Sequence, residues 1–132
     1  MAHLITFSTG AFDVSKEEPN PINPIAGQAL LKWVRAKLEA SGYTVTEPAT
    51  EDWGWYVDVE GHGSSYLVGA SGEPEPPSSD IDWTIQIEKH RSLKDKMTGK
   101  NKMTAEDPLT ALVERFVLGE AGFRTVNVEK HA

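Results

Sequence analysis

The chain has 132 residues, of which 39% are hydrophobic and 25% charged, and its formal net charge is −7. This composition is that of a single globular domain spanning 1–132, and the excess of acid disfavours nucleic-acid binding, which depends on Lys and Arg. There is no Cys, which excludes a disulfide framework, a thiolate metal site and a thiol nucleophile. No apolar run approaches the roughly 20 residues of a membrane span, and we recognise no signal peptide, so we expect no membrane association and a cytoplasmic location.

The first third of the chain predicts a strand, a loop and a helix. A short run of β-branched and aromatic residues at 4–8 is typical of a strand. The polar segment 9–23 contains two prolines and predicts a flexible loop. Asn23 followed by Pro24 is typical of a helix N-cap and first helical position, and apolar residues then recur at helical spacing. We therefore expect a helix over 24–41.

The middle third predicts a run of strands. Segment 43–46 is short, whereas 54–60 and 81–88 alternate apolar and polar residues over most of their length, as half-buried strands do. Residues 65–70 predict the hairpin partner of 54–60, because the glycines between the two segments favour a chain reversal. Segment 71–80 is rich in proline and predicts a second flexible loop.

The last third predicts a long loop, a helix and a strand. Residues 89–106 are basic and polar without periodicity, which indicates a third flexible loop. Asp107 and Pro108 repeat the N-cap pattern, so we expect a helix over 108–120 and then a strand over 123–129. The order β-α-β-β-β-α-β predicts an α+β fold with two helices packed on one face of a mostly antiparallel sheet of about five to six strands. The expected core residues are Trp33, Leu38, Trp55, Trp83, Ile85, Ile87, Leu112 and Phe116.

The charged residues are segregated along the chain. Residues 38–88 contain eleven Asp and Glu and no Lys or Arg, whereas residues 89–102 contain six Lys and Arg and one Asp. A fold does not require this separation, because the distribution of charge affects association and solubility more than topology. The segregation therefore indicates surfaces that face a partner.

Most of the acidic residues in the strands fall on one side of the predicted sheet. Side chains alternate along a strand, so the even-numbered residues of 54–60 and of 81–88 share the face that the helices leave uncovered. This face is either a solvated surface, as antiparallel sheets commonly show to water, or a docking surface for a cationic protein. The residues that we assign to partner binding are Asp52, Trp53, Tyr56, Asp58, Glu60, His62, Asp82 and Glu88.

Two tryptophans flank Gly54 at the start of one of these strands. Trp55 is in phase with the apolar residues that follow and is expected in the core. Trp53 precedes the strand, and it either packs at the edge of the sheet or is exposed as a contact residue, a role in which Trp is enriched. Gly69 and Gly72 are interpreted as turn residues.

Two alternatives to a docking protein stay open. Asp58, Glu60 and His62 offer oxygen and nitrogen ligands that suit Zn²⁺ or Mn²⁺, so a small metal-binding protein or enzyme is the first. The second is a self-assembling component, in which the acidic face of one copy meets the basic segment of another. That segment either stays solvated or contacts an anion, an acidic protein or the acidic face, and its candidate contact residues are Lys94, Lys96, Lys100 and Lys102.

The favoured hypothesis is a small acidic binding protein that docks on a protein partner with a basic surface, as an inhibitor or an immunity-type neutraliser of a cationic enzyme would. It rests on size, on charge and on the lack of a catalytic motif. The turns that contain Gly and Ser do not match G-x-S-x-G, and residues 98–101 do not complete a phosphate-binding loop. We assign no catalytic residue, no metal ligand and no cofactor from the sequence.

Overall fold

The computed structural model describes residues 2–74 and 80–130, and these form one antiparallel sheet with helices packed on one face. The predicted α+β fold is confirmed, but two short strands and a short additional helix are inserted into the predicted order, so that the sheet has seven strands instead of five to six. Among the described residues, no helix is both long and apolar enough to cross a bilayer. The elements are β1 (Ala2–Thr9), α1 (Gln28–Ala40), β2 (Thr44–Val45), β3 (Ala49–Glu51), β4 (Gly54–Gly61), β5 (Ser64–Gly72), β6 (Ile81–Lys89), α2 (Leu93–Thr98), α3 (Pro108–Gly119) and β7 (Arg124–Lys130).

Strands β4, β5 and β6 form a meander, and β1 pairs with β6 at the edge of this meander. The order is β2-β4-β5-β6-β1-β7, with β3 also paired to β4, and every paired neighbour is antiparallel. β1 therefore lies between β6 and the final strand β7, and it brings Phe7 opposite Trp83. The first and last strands are consequently hydrogen-bonded neighbours in one layer.

The core lies between the sheet and the helices. Alternation along the long strands sends one set of side chains toward the helices, and residues such as Ile5, Val57 and Val68 are fully buried there. Three of the predicted core residues are only partly buried, although they pack against this cluster: Trp33, Leu112 and Phe116. The other five are buried as expected: Leu38, Trp55, Trp83, Ile85 and Ile87.

Helix α1 begins at Gln28, four residues later than the sequence pattern predicts. Asn23 is not its N-cap, and no side chain of the N-cap residue Gly27 is available for that role. The carboxylate of Glu17 acts there instead, since it accepts hydrogen bonds from the backbone N–H groups of Gly27 at 3.1 Å and Ala29 at 3.0 Å. A negative charge at a helix N-terminus also stabilises the helix dipole. The loop 9–23 is thus attached to the helix.

The basic segment contains helix α2, so the prediction of a continuous loop over 89–106 is wrong. The helix starts with a capping box, in which Ser92 and Asp95 exchange side-chain to backbone hydrogen bonds. It ends at Gly99, which has a φ of +73°, in the left-handed conformation typical of helix ends. Both signals stand in the sequence, but the helix is too short for an apolar period to show.

Gly69 and Gly72 lie inside β5, so the interpretation of both as turn residues is wrong. Each lets another group come close to the strand backbone: a Cβ at residue 72 would meet the indole of Trp83 at 2.6 Å. β5 therefore runs two residues into the segment predicted as the loop 71–80. Of that segment, 75–79 lies outside the described residues, and the predicted flexibility of the loops stays a prediction.

Candidate functional site

The open face of the sheet, opposite the helices, carries four acidic side chains on β4 and β6. Asp58 and Glu88 both pair with Leu67 of the strand between them, so they lie about 10 Å apart across it. Within the described ranges, none of the four forms an ion pair with Lys or Arg, and Asp58 lies 3.6 Å from His90 Nε2. The four open-face carboxylates are Asp58, Glu60, Asp82 and Glu88.

Trp53 lies in the turn between β3 and β4, and its indole covers part of the open face. The six-membered ring lies over Gly69, where a Cβ would come within 2.5 Å of Trp53 Cζ3. Trp55, two residues on, points to the opposite face, and its Nε1–H donates to the carbonyl of Ile25 at 3.1 Å. The structure therefore separates the two tryptophans, with Trp55 in the core and Trp53 half-buried on the uncovered side.

Two asparagines from the preceding loop hold the turn that carries Trp53. The buried Asn20 donates from Nδ2 to the backbone carbonyls of Glu51 at 3.0 Å and Gly54 at 2.9 Å. Asn23 donates to the carbonyl of Asp52 at 2.8 Å. Carbonyls on both sides of Trp53 are thereby satisfied by side chains, which restricts the position of the indole.

The indole forms one wall of a pocket of about 610 Å³. Arg124 forms an ion pair with Asp80, and Asp82 accepts a hydrogen bond from the Ser8 hydroxyl at 2.5 Å. One guanidinium against three carboxylates leaves an excess of negative charge at the rim. We call this site the Trp53 pocket, and its main lining residues are Trp53, Ser71, Glu73, Asp80, Asp82 and Thr84.

Only two of the residues predicted for partner binding line the Trp53 pocket, namely Trp53 and Asp82. Asp52 lies in the same turn with an exposed side chain. Asp58 and Glu60 line a separate hollow of about 290 Å³, beside His90. Of the other three, Tyr56 and Glu88 lie on the open face, and His62 lies in the turn after β4.

His62 does not join Asp58 and Glu60 as the sequence pattern predicts. It occupies the turn after β4 with a φ of +52°, and its ring packs edge-on against Tyr43 with centroids 4.8 Å apart. Its Nε2 lies 3.5 Å from the carbonyl of Ser41, at the end of α1. Within the described part of the chain, no three His, Asp or Glu side chains are grouped to hold a metal ion. The geometry therefore gives the metal-site alternative no support.

Several residues of the site were missed by sequence reasoning. Glu73 and Asp80 flank a proline-rich segment that contains no regular pattern, so nothing in the sequence places them beside Trp53. The sequence pattern gives His90 no role, although it directly follows β6. Gly69 did carry a signal, because glycine inside an alternating strand commonly marks the close approach of another group.

The predicted anion-contacting lysines surround helix α2, and all four are exposed. The helix also exposes Leu93 at 75% and Met97 at 79% of their surface, one turn apart. Arg91 fixes the helix to its flanking chain by donating to the carbonyls of Asp95 at 3.1 Å and Lys100 at 3.0 Å. α2 is thus a small basic helix with an apolar stripe.

A second polar cluster is buried at the start of α3. One oxygen of Asp107 accepts from the backbone N–H groups of Leu109 at 3.1 Å and Thr110 at 3.4 Å, which caps the helix. The other accepts from the Tyr66 hydroxyl at 3.1 Å and lies 3.5 Å from Lys89 Nζ. Burial, and then the negative charge of Asp107, raise the pKa of Tyr66. The cluster joins α3 to the sheet and has a structural explanation.

Comparison of the chain with protein-family models, with curated proteins and with solved structures found no match in any of the three. Functional inference therefore depends on the geometry and the charge of the described residues. Of these, the Trp53 pocket, with a volume of about 610 Å³, combines an aromatic wall with an excess of carboxylate.

Proposed function

We propose that this protein is a non-enzymatic, cytoplasmic binding module that docks on a basic protein and takes one of its Lys or Arg side chains into the Trp53 pocket. The observation that carries the proposal is the indole of Trp53 lying over Gly69 beside the carboxylates of Glu73 and Asp82. An aromatic face next to carboxylates suits a cation with an aliphatic stem, which is the chemistry of these two side chains.

The hydrogen bonds that fix the turn of Trp53 preorganise the pocket for binding. A cation over an indole contributes about 0.5–2 kcal/mol, depending on how far it is desolvated. Asn20 and Asn23 bind the backbone carbonyls around Trp53, so the conformation of this turn is already fixed before a partner binds. Such preorganisation reduces the entropic cost of binding.

The rest of the open face supports docking on a larger basic surface. Asp58, Glu60 and Glu88 form no ion pair with Lys or Arg within the described ranges, so their field is available to a cationic partner. Complementary charge speeds association and disfavours acidic competitors. Tyr56, half-buried two residues before Asp58 on β4, offers an uncharged contact. An inhibitor or immunity-type neutraliser of a cationic enzyme would have these properties.

The test is a titration with short Gly/Ser peptides that each contain one Lys or one Arg, followed by NMR. Acetyl-lysine and citrulline peptides are the matched neutral probes. We expect the Lys and Arg peptides to shift the indole N–H resonance of Trp53, and the neutral peptides to leave it in place. Equal shifts with charged and neutral peptides, or no shift with either, would overturn the proposal.

Three variants locate the binding. Trp53→Ala should abolish the peptide response, and Asp82→Asn should weaken binding several-fold. Glu106→Gln removes the same charge from an exposed position next to the α3 N-cap, at the other end of the sheet, and should leave binding unchanged. Equal weakening by Asp82→Asn and Glu106→Gln would assign the effect to net charge and not to the pocket.

A further inference from the structure

Helix α2 presents an apolar stripe within a cluster of lysines. Leu93 and Met97, its two exposed apolar residues, lie one turn apart on the same side of the helix. We call the whole set the α2 surface, and it consists of Leu93, Lys94, Lys96, Met97, Lys100 and Lys102.

The α2 surface is held in place by the chain around it. The capping box of Ser92 and Asp95 starts the helix, and the Lys100 N–H donates back to the carbonyl of Asp95 at 2.9 Å. The guanidinium of Arg91 binds two carbonyls of the segment, and Met103 after it is buried in the core. The helix is therefore a formed element that displays its side chains outward.

The counterpart of this surface is present on the same chain. Within the described residues, none of the α2 lysines forms an ion pair, and none of the open-face carboxylates is paired with Lys or Arg. The Trp53 pocket adds an indole to those carboxylates. A lysine-flanked Leu and Met complement an indole flanked by carboxylates in both charge and polarity, since a thioether packs well on an aromatic ring.

The two surfaces lie at opposite ends of β6. Asp82, at the start of the strand, lines the Trp53 pocket, whereas Lys89 ends the strand just before α2. At the rise of an extended strand, Asp82 and Lys89 are separated by about 24 Å. One copy therefore cannot place its α2 surface in its own pocket, and any contact between them joins two molecules.

We propose that the α2 surface of one copy docks on the Trp53 pocket of a second copy, so that the protein associates head-to-tail and competes with its own cationic partner. The inference rests on the proposed function, because it uses the same pocket. Lys94 and Lys96 face the carboxylates, and Met97 packs on the Trp53 indole. Since the two surfaces differ, one contact between two copies leaves one pocket and one α2 surface open. The assembly then extends head-to-tail, or it closes where the rotation between copies brings the two open surfaces together.

Two variants that each lack one surface test this by sedimentation velocity. The pocket variant carries Trp53→Ala and Asp82→Asn, and the helix variant carries Lys94→Gln, Lys96→Gln and Met97→Ser. The wild type should associate as its concentration rises, and about tenfold more weakly when salt increases from about 0.1 M to about 1 M, which shortens the Debye length from about 10 Å to about 3 Å. Each variant alone should stay monomeric.

A mixture of the two variants supplies the decisive result. The helix variant retains the pocket and the pocket variant retains α2, so the mixture should form a one-to-one dimer that grows no further. A monomeric wild type at low salt, a monomeric mixture, or a pocket variant that associates like the wild type would each overturn the inference. Circular dichroism of both variants confirms that they are folded.

The peptide titration separates failure of this inference from failure of the proposed function. The helix variant should bind the Lys peptide as the monomeric wild type does, and that peptide should dissociate the mixed dimer. Peptide binding without a mixed dimer overturns self-association and leaves the binding function standing. If anionic vesicles capture the wild type but not the helix variant, and no mixed dimer forms, α2 is a membrane-surface contact and the inference is wrong.

Discussion

The six-membered ring of Trp53 lies against the backbone of Gly69 in the middle of the sheet, so close that a Cβ there would be 2.5 Å from Trp53 Cζ3. Only a residue without a side chain permits this contact. The indole therefore packs on the surface of the sheet, where it lines the pocket, although Trp53 itself lies in a turn. The position of Trp53 depends on a residue that lies 16 positions later in the sequence.

Replacing Gly69 with alanine tests whether the contact between the Trp53 indole and Gly69 is required for peptide binding. We expect Gly69→Ala to displace the indole and to weaken binding of the Lys peptide by roughly 1 kcal/mol, about fivefold, because the aromatic wall of the pocket shifts. The measurement is the dissociation constant from the NMR titration, with the Trp53 indole resonance reporting the displacement.

The matched control is Gly119→Ala, at the end of α3, where an added Cβ meets nothing within 4 Å. This variant should bind the peptide as the wild type does. If Gly69→Ala moves the indole resonance but binds the Lys peptide with full affinity, the contact between Trp53 and Gly69 is not needed for binding.

A pair of asparagine variants tests how the Trp53 turn is held. Asn20→Ala removes two donors from the backbone carbonyls of Glu51 and Gly54, in a largely buried position, and should lower the free energy of unfolding by about 1–3 kcal/mol. Asn23→Ala removes one exposed donor and should cost less than about 1 kcal/mol. Urea unfolding measures both, and equal costs would contradict the role assigned to Asn20.

The long strands of the sheet were predictable from local patterns, whereas the start of α1 and the presence of α2 were not. The alternation in 54–60 and 81–88 sets which side chains enter the core, because a strand has a period of two wherever it lies. The start of α1 depends instead on Glu17, which reaches the helix N-terminus only after the loop has folded back. Helix α2 has a capping box that the sequence shows, but residues 89–106 are polar and have no apolar period, so their pattern favours a loop.

The candidate site was predictable only in its charge. The acidic side chains of β4 and β6 follow from alternation, but the pocket needs contacts between distant segments. Trp53 meets Gly69, Asn20 binds the turn, and Arg124 pairs with Asp80, and each of these contacts joins residues at least 16 positions apart. His62 is the opposite case. The alternation of its strand predicts that its side chain joins Asp58 and Glu60, but His62 lies in a turn, where its positive φ directs the ring to Tyr43.

The buried Asp107 should be among the most sensitive polar positions in the fold. Its side chain is 1% exposed, and it caps α3 while it binds the hydroxyl of Tyr66 and the ammonium of Lys89. Asp107→Ala leaves the positive charge of Lys89, itself only 12% exposed, without its partner, and we expect a loss of about 3–5 kcal/mol in the free energy of unfolding.

Ser92→Ala is the matched control for this change, because Ser92 is also an N-cap but is exposed and begins the peripheral helix α2. It should cost less than about 1 kcal/mol in global stability. Urea unfolding of the two variants decides the point. A loss at Asp107 no larger than at Ser92 would show that the buried cluster adds nothing beyond the cap.

Ionisation of Tyr66 should lower the free energy of unfolding at alkaline pH. Burial, and then the negative charge of Asp107, raise the pKa of Tyr66 in the folded state, whereas in the unfolded chain it is about 10. A raised folded pKa contributes stability that is complete below pH about 10 and is lost as the pH rises from there toward the folded pKa. The free energy of unfolding of the wild type should therefore fall as the pH increases from about 9 to about 11.

Tyr66→Phe removes this titration along with one hydrogen bond to Asp107. At neutral pH the variant should be less stable than the wild type by about 1 kcal/mol, and the difference should shrink or reverse near pH 11, because only the wild type loses the tyrosine contribution. Part of the alkaline decline should persist in the variant, since burial also raises the pKa of Tyr43. Tyr56→Phe, on the open face, is the matched control and should keep the full decline. Parallel pH profiles for wild type and Tyr66→Phe would show that the Tyr66 hydroxyl is not the group responsible.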